Sequence, residues 1–310
     1  MTTTTPQDRS VRHEAVGGVI VAASAILFGV VVVFAKVALE HGMTVFSALA
    51  TRYATSAAIL AMVLVALRHP LLPARGERLW LLVLGAFGYA VESSFFFAAL
   101  QHGTAAAVTL LFYVYPVIIL LTSIAMGKGK PSWLLVASLA FAVCGAATVI
   151  IGSGGIDIQP LGILFAFGSS CTFSAYLIGA EFALHRTSPL TSAMWVCVWA
   201  AVGCGVFATV SGGVHLPSTP TQTWAVLGMG AGSAAAFVCM LSGLRRVGAV
   251  RASIVSSMEP LAAAILAFAL LSETVSTATF IGGVMILAGA IGASIARPQS
   301  PAELPLAELP

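Results

Sequence analysis

The sequence predicts an all-α integral membrane protein in which ten transmembrane helices form two inverted five-helix repeats around a central cavity. Three observations support this prediction. Apolar residues make up 59% of the 310 positions and charged residues only 8%, whereas a soluble domain carries roughly 25% charged residues. Apolar stretches of about 20 residues, the length that crosses a bilayer, recur along the chain. The chain is also similar to itself at a shift near 145 residues.

Polar residues and Gly/Pro positions divide the apolar sequence into ten predicted spans. The first apolar run is longer than the roughly 7–15 residues of a cleavable signal, so we interpret it as an uncleaved span. The spans are 15–38, 45–67, 79–100, 105–126, 132–152, 159–184, 190–211, 222–244, 251–271 and 277–296. We expect residues 15–152 and 159–296 to be the two repeats, and residues 1–14 and 297–310 to be disordered cytoplasmic tails.

The positive charges predict which side each loop faces. Of the 14 Lys and Arg, Lys36 and Arg52 lie within spans. With a cytoplasmic N-terminus, the rest lie in or beside inner loops and tails, and the outer side carries Glu40, Asp157 and Glu273. The inner positions are Arg9, Arg12, Arg68, Arg75, Arg78, Lys128, Lys130, Arg186, Arg245, Arg246, Arg251 and Arg297. Because cytoplasmic loops carry an excess of Lys and Arg, we expect a multi-pass protein with both termini inside. Its short loops suit a bacterial inner membrane.

The internal repeat aligns two pairs of segments. "SAILFGVVVVFAKVAL" at 24–39 aligns with "SSCTFSAYLIGAEFAL" at 169–184, and "ALQHGTAAAVTLLFYVYP" at 99–116 aligns with "GLRRVGAVRASIVSSMEP" at 243–260. Pro116 then falls on Pro260, and Gly145 on Gly289. Each half has five spans, an odd number, so the second half enters the membrane upside down. Inverted repeats are typical of secondary transporters; a channel or an inert bundle is the alternative.

The chain resembles the EamA-type families of the drug/metabolite transporter superfamily over nearly its whole length. The resemblance rests on the two five-span halves, the mid-span prolines in "YVYP" and "SMEP", the "LSE" after span nine and the "GGVMILAGA" of the last helix. Arg52 in "ATRYATSAAIL" looks like the second-span arginine of the family. The first half departs from the pattern at Gly129, where the second half has Glu273. The resemblance implies a ten-helix transporter with a central cavity that usually exports small metabolites such as amino acids.

Pro116 and Pro260 are predicted to break two equivalent helices near mid-span. A proline leaves the carbonyl four residues earlier unpaired, here at Phe112 and Ser256. Such a carbonyl is costly in hydrocarbon unless a polar partner or a cavity serves it. Two matching breaks therefore favour a shared polar centre; ordinary proline kinks are the alternative.

Three charged residues are predicted to lie deep in the membrane. A charge at mid-span costs about 2.5–3.5 kcal/mol on insertion scales, and such residues usually face an interior pathway. Glu259 is a candidate for carrying a coupling proton or binding a substrate ammonium group; a permanently protonated structural Glu is the alternative. Arg52 and Glu92 lie at similar depths, which predicts an ion pair. This pair could hold two helices together, or Arg52 could bind a substrate carboxylate with Glu92 orienting it.

Aromatic residues complete the candidate site. Tyr89, Phe112, Tyr115 and Tyr176 could line a pocket for an apolar or aromatic substrate, although aromatic residues at helical spacing also occur in bundle cores and interface belts. Ser256 joins this set beside Glu259.

We therefore predict a secondary transporter that exports a small metabolite, an amino acid or derivative, by alternating access. Coupling to protons is a hypothesis that rests on Glu259. The alternatives are a non-transporting membrane scaffold and a flippase for a lipid-linked carrier. The sequence contains no HExxH, GxSxG or P-loop pattern, so we predict no enzyme. We expect no cofactor, metal or nucleic acid, and a monomer or homodimer in contact with membrane lipids.

Overall fold

The computed structural model describes residues 6–128, 131–152, 157–271 and 276–296. Helices dominate these ranges, which confirms the predicted all-α membrane fold. The helices are α1 (Pro6–Glu40), α2 (Val45–Ala66), α3 (Arg78–Leu82), α4 (Ala90–Leu100), α5 (Ala105–Phe112), α6 (Tyr115–Ala125), α7 (Trp133–Gly152), α8 (Pro160–Ala183), α9 (Pro189–Val210), α10 (Pro220–Ser256), α11 (Glu259–Leu271) and α12 (Thr277–Ile295). A 3₁₀ turn (Arg75–Glu77) precedes α3, and a π-helical segment (Val83–Tyr89) joins α3 to α4.

Nine of the described helical runs are long and apolar enough to cross a membrane, against the ten spans predicted. The difference arises because the ninth predicted span is divided between two helices. Its start belongs to α10, which has 37 residues and also covers the eighth span, and the rest belongs to α11, whose 13 residues are too few to cross a membrane alone. Gly248, with φ 78° and ψ 166°, interrupts α10 between these two spans. That conformation is open essentially only to glycine. When α10 is divided at Gly248, the helical segments follow the ten predicted spans in order.

The N-terminal tail differs from its prediction. Helix α1 begins at Pro6, so residues 6–14 are helical and not disordered. Proline suits the first turn of a helix because its missing N–H would have no intrahelical partner there. Glu14 anchors this extension through an ion pair with Arg251, at 2.8 Å between Oε2 and Nη1. Several residues of the predicted pattern lie outside the described ranges: Gly129, Lys130, Glu273, Arg297 and the tail 297–310.

Prolines and hydroxyl side chains start several of these helices. Pro160, Pro189 and Pro220 each occupy the first turn of a helix. Ser188 Oγ accepts a hydrogen bond from the Thr191 backbone N–H at the start of α9. The same kind of cap, in which a hydroxyl oxygen satisfies an N–H of the first turn, is formed by Thr219 for α10 and by Ser276 for α12.

The two halves pack against each other in an inverted pattern. Helix α1 packs along the first part of α10, and α8 makes the equivalent contact with α4 and the π-helical segment. Helix α2 packs against α9, and α7 against α12, so each of these two pairs joins equivalent spans of the two halves. The interface between the halves therefore runs through the middle of the bundle, where both broken spans lie.

Glycines allow the closest of these helix contacts. A Cβ atom added at Gly145 of α7 would lie 2.7 Å from the carbonyl oxygen of Gly282 in α12. At Gly289, the position equivalent to Gly145 in the repeat, a Cβ atom would lie 2.6 Å from the carbonyl oxygen of Ser138. The glycine-rich sequence of the last helix thus packs within the chain, in agreement with the preference for small residues at helix contacts in lipid.

Candidate functional site

The helix breaks in the two halves lie at equivalent places. In the first half α5 ends at Phe112 and α6 begins at Tyr115. In the second half α10 ends at Ser256 and α11 begins at Glu259. In both cases the second residue of the new helix is a proline, at 116 and at 260. The two resulting non-helical steps, residues 113–114 and 257–258, place backbone polar groups and the adjacent side chains in the interior of the bundle.

Hydrogen bonds across the two halves satisfy part of this exposed backbone. Ser174 of α8 donates from its Oγ to the carbonyl oxygen of Tyr115, at 3.2 Å. The hydroxyl of Tyr115 donates to the carbonyl oxygen of Ser253, at 3.3 Å. The Oγ of Ser257 donates to the same Ser253 oxygen, also at 3.3 Å. Tyr115, which aligns with Glu259 in the repeat, therefore connects one half to the other.

Glu259 lies half-buried beside the break in the first half. Its carboxyl group lies close enough to interact with the hydroxyl of Tyr113, which is 4% exposed. Tyr113 is absent from the candidates that the sequence suggested, although it is the first tyrosine of the "YVY" that leads into Pro116. Ser256, which precedes the break, is buried, and its Oγ lies 3.9 Å from the sulfur of Met240.

Glu92 is buried on α4 and is hydrogen-bonded by two serines. Its carboxylate accepts one bond from Ser93 Oγ and one from Ser169 Oγ of α8, each at 3.0 Å. The guanidinium of Arg52 instead donates from Nε to Ser233 Oγ of α10, at 2.6 Å. Among the described residues, the predicted direct ion pair between Arg52 and Glu92 is therefore not formed, because serines of the opposite half bind both charged groups.

Arg52 nevertheless remains electrostatically linked to both acids, buried Glu92 and half-buried Glu259. It interacts at longer range with the carboxyl groups of Glu92 and Glu259. One cation thus serves two carboxyl groups in an environment of low dielectric constant, where charge interactions are stronger than in water. This arrangement allows the site to change its net charge by binding a proton or a cationic ligand group.

A cluster of aromatic rings fills the space around these charges. Tyr89 is at its centre, with ring-centroid distances of 4.6 Å to Tyr176 and 4.7 Å to Phe237. Phe173 extends the cluster to Tyr115, at 4.9 Å. Phe112 and Tyr53 complete it; Phe112 lies 5.3 Å from Phe173, and Tyr53 lies 6.1 Å from Tyr89.

This one cluster contains all four aromatic residues that the sequence suggested: Tyr89, Phe112, Tyr115 and Tyr176. The centre of the bundle is therefore lined and largely occupied by aromatic rings. Sequence reasoning did not select Phe173 and Phe237, because an isolated Phe in an apolar helix carries no positional signal. The hydroxyl of Tyr176 is buried and has no hydrogen-bond partner among the described residues.

Two further cavities lie away from these charged groups. A cleft of about 390 Å³ between α6 and α8 is lined by residues that include Thr122, Cys171 and Ser174. A second cavity, of about 490 Å³, lies among the loops at the other end of the bundle and is lined by Met43, His215 and neighbouring residues. The described residues that line these two cavities include no Asp, Glu, Lys or Arg. Within the described ranges, no group of three or more His, Cys, Asp or Glu could hold a metal ion.

Comparison with known proteins identifies the family. The model of the EamA-like transporter family matches residues 15–151 and 160–295, one match for each half. The chain belongs to this family of transporters. A relative described as an uncharacterized transporter of Archaeoglobus fulgidus is 27% identical over 212 residues, which cover 68% of this chain and 74% of the relative. A solved structure described only as "Crystal structure of protein" superposes with a TM-score of 0.73 at 20% identity, over 87% of this chain and 97% of that one.

Membership in the EamA-like family confirms the resemblance and the transporter class that the sequence predicted. Each of the two matched segments contains one helix that is broken before a proline. The structural likeness, at 20% identity, supports the shared fold alone. The substrate has to be inferred from the charged groups and rings of this chain itself.

Proposed function

We propose that this EamA-like transporter exports a small amphipathic metabolite, an amino acid or a derivative of one, by alternating access. The observation that carries the proposal is the group formed by Arg52, Glu92 and Glu259, which both halves of the bundle build together beside a cluster of aromatic rings. Two inverted halves that exchange conformations would expose such a group first to one side of the membrane and then to the other.

The composition of the site supports a substrate with a cationic group and an apolar group. Two carboxyl groups and one guanidinium lie close enough to interact, so an incoming ammonium group would restore the balance of charge. The faces of tyrosine and phenylalanine rings attract cations and also bind apolar groups. Arg52 is the group suited to a substrate carboxylate, once its bond to Ser233 is released.

Glu259 is the residue to which we assign proton coupling. Its carboxyl group interacts with Tyr113 of the other half and lies directly beside a break in the helix. A conformational change that moved the two broken spans apart would alter both this interaction and the exposure of the carboxyl group. Proton release and substrate movement would then be linked through the same side chain.

We further propose that both termini face the cytoplasm of a bacterial cell and that the chain works in the inner membrane as a monomer or homodimer. The distribution of Lys and Arg among its loops supports this orientation.

The experiment is a comparison of exported metabolites. The native chain, Glu259→Gln and the control Glu40→Gln are expressed at equal levels in a bacterial host, and the medium is analysed by mass spectrometry. Glu40 is exposed at the end of α1, so its variant should behave as the native chain does. We expect one class of amine-containing compounds to accumulate with the native chain and the control but not with Glu259→Gln. Accumulation with all three would leave transport in place and remove Glu259 from the coupling step; no accumulation with any of them would contradict export.

The cleft between α6 and α8 favours a lipid-linked substrate as the second candidate. Its lining residues Met126, Ala175 and Phe182 are exposed on the outer surface of spanning helices, where a hydrocarbon chain could enter from the bilayer. A flippase would change the leaflet distribution of a lipid-linked carrier in reconstituted vesicles and would leave the medium unchanged. Lipid redistribution in the vesicles, together with no change in the medium of the expressing strains, would favour the flippase over the exporter.

A further inference from the structure

A buried carboxylate joins two loops at one end of the bundle. Glu77 follows α2 and is 5% exposed. Its carboxylate accepts hydrogen bonds from three consecutive backbone N–H groups after α8: His185 at 2.8 Å, Arg186 at 2.6 Å and Thr187 at 2.8 Å. The side chain of Arg245, from α10, donates to the carbonyl oxygen of Thr187. We call this contact the Glu77 latch.

A neutral amide makes a related contact at the opposite end. Gln222, at the start of α10, is 7% exposed and donates from Nε2 to the carbonyl oxygen of His41, at 2.7 Å. Its Oε1 accepts from the backbone N–H of Ser218, at 2.8 Å. The backbone N–H of His215 donates to Ser47 Oγ, at 2.9 Å. We call this contact the Gln222 latch. Helix α2, with 22 residues, separates the two latches by about 33 Å at 1.5 Å per residue.

The two latches are equivalent in the internal repeat. Residues 77 and 222 are 145 positions apart, and so are residues 41 and 186. Glu77 binds the backbone at Arg186, and Gln222 binds the backbone at His41. A secondary pair of bonds keeps this register to within one residue. Thr191 Oγ1 donates to the carbonyl oxygen of Pro70 at one end, and Ser47 Oγ accepts from the N–H of His215 at the other. His215 lies 145 positions after Pro70, and Thr191 lies 144 positions after Ser47. Inversion of the second half therefore places one copy of a single contact at each end of the membrane.

We propose that Glu77 and Gln222 are the paired gate residues of this transporter, each holding its own end of the bundle closed, so that release of one latch is coupled to closure of the other. The proposal rests on the alternating-access function assigned to the chain under Proposed function. In each latch a side chain from the third span of its half holds the connection between the first two spans of the other half. When one half rocks against the other, one latch is therefore pulled apart while the other is pressed together.

The two latches differ in strength, which gives the cycle a preferred state. Glu77 makes three hydrogen bonds in which the acceptor is charged, and Arg245 lies close enough to interact with it electrostatically. Gln222 makes one bond to its partner loop, between neutral groups. Charge-assisted hydrogen bonds are roughly twice as strong as neutral ones. The end closed by Glu77, which the charge distribution predicts to be cytoplasmic, is therefore the end that stays closed in the absence of substrate.

The test measures hydrogen exchange at the two ends of the full chain in lipid nanodiscs. The backbone N–H groups of residues 185–187 report the Glu77 latch directly, and that of residue 215, which donates to Ser47 Oγ, reports the Gln222 latch. Two substitutions that preserve side-chain size are compared: Glu77→Gln, which removes the charged acceptor, and Gln222→Glu, which removes the donor to His41. We expect Glu77→Gln to speed exchange at 185–187 about tenfold, equivalent to about 1.4 kcal/mol, and to slow exchange at 215. Gln222→Glu should produce the reverse pattern.

The opposite change at the far end distinguishes a gate from a merely structural contact. A structural role would speed exchange at the mutated end alone, or at both ends, and either result would overturn the proposal. Glu14→Gln is the matched control, because it removes a carboxylate that pairs with Arg251 at the Glu77 end but lies outside the latch. Should Glu77→Gln fail to fold, Thr187→Val provides the same comparison, because it removes a hydroxyl that accepts from the Ala74 N–H and interacts with the Glu77 carboxylate. No substrate is needed, so a negative result would leave the proposed transport function untouched.

Discussion

The backbone contact between α7 and α12 predicts a sharp difference between two glycines of the same fold. A Cβ atom at Gly145 would meet the carbonyl oxygen of Gly282 at 2.7 Å and the nitrogen of Ile286 at 2.8 Å. Both are backbone atoms of α12, which cannot rotate away as a side chain could. At Gly205 in α9, an added Cβ atom would meet nothing within 4 Å among the described residues. The perturbation is therefore the same substitution, Gly→Ala, at each of the two positions.

The expected magnitudes follow from two opposing effects. Replacing Gly by Ala inside a helix gains roughly 0.8–1.0 kcal/mol of helix propensity, and both variants gain it. Overpacking a close contact costs typically about 1–3 kcal/mol, and only Gly145→Ala incurs that cost. We therefore expect Gly205→Ala to be as stable as the native chain or slightly more stable, and Gly145→Ala to be less stable than Gly205→Ala by roughly 1–3 kcal/mol.

The assay is thermal unfolding of the purified variants in detergent. Since 1 kcal/mol corresponds to about 2–4 °C in Tm for domains of 150–250 residues, the two midpoints should differ by several degrees. Equal midpoints, or a higher midpoint for Gly145→Ala, would show that α7 and α12 do not touch through their backbones. That outcome would refute close helix packing as the role of the glycines in the last helix.

Two other predictions concern buried hydroxyls and the interruption in α10. Tyr176→Phe should leave the Tm unchanged or raise it, because it removes a buried hydroxyl that has no partner among the described residues. Tyr115→Phe should instead lower the stability by about 0.5–1.5 kcal/mol, because the hydrogen bond to Ser253 is lost. A lower Tm for Tyr176→Phe than for Tyr115→Phe would contradict these hydrogen-bond assignments. Gly248→Ala should destabilise the protein by about 1–3 kcal/mol, since its φ of 78° with ψ of 166° is strained for any residue with a side chain. The same thermal assay measures this loss, and an unchanged Tm would argue that α10 runs on without interruption.

The number and order of the spans could be predicted from the sequence because lipid imposes a simple rule on length and polarity. The π-helical segment Val83–Tyr89 could not be predicted, because it depends on how this segment packs against α8 and α9. Gly248 was also missed. It lies in a polar stretch between two predicted spans, where a loop was the natural expectation, and only its backbone angles reveal a helix that resumes at once.

The sequence predicted which residues form the candidate site better than it predicted which partners they bind. Depth along a helix indicated that Arg52 and Glu92 lie at a similar level, but rotation about the helix axis decides which partners they reach. Serines of the opposite half reach them first: Ser233 binds Arg52, and Ser169 binds Glu92. Serine is common in membrane helices as a packing residue, so nothing in the sequence marked these two as partners of charges.

The internal repeat places the two latch residues at equivalent positions, but only the structure shows that this equivalence matters. Glu77 and Gln222 are similar in shape and occupy the same register in the two halves. Each also lies at the polar start of an apolar span, a place where a side chain can bind the backbone of a neighbouring loop. The comparison of equivalent positions is informative only when the partner loops are known to be equivalent too, and that knowledge required the structure.

The chemistry of the bundle is concentrated where the two halves carry different residues. The backbone scaffold is nearly symmetric, as the matching breaks and latches show. A small substrate is not symmetric, however, so a site made of identical residues from both halves would bind it poorly. Glu92 aligns with Phe237, 145 positions later, and Tyr115 aligns with Glu259, 144 positions later. Each of these pairs sets an ionisable or polar group in one half against a different group in the other, and all four residues belong to the central group of charges and rings. In the proposed transport cycle, the inverted repeat would supply the movement, and its unequal positions would supply the recognition.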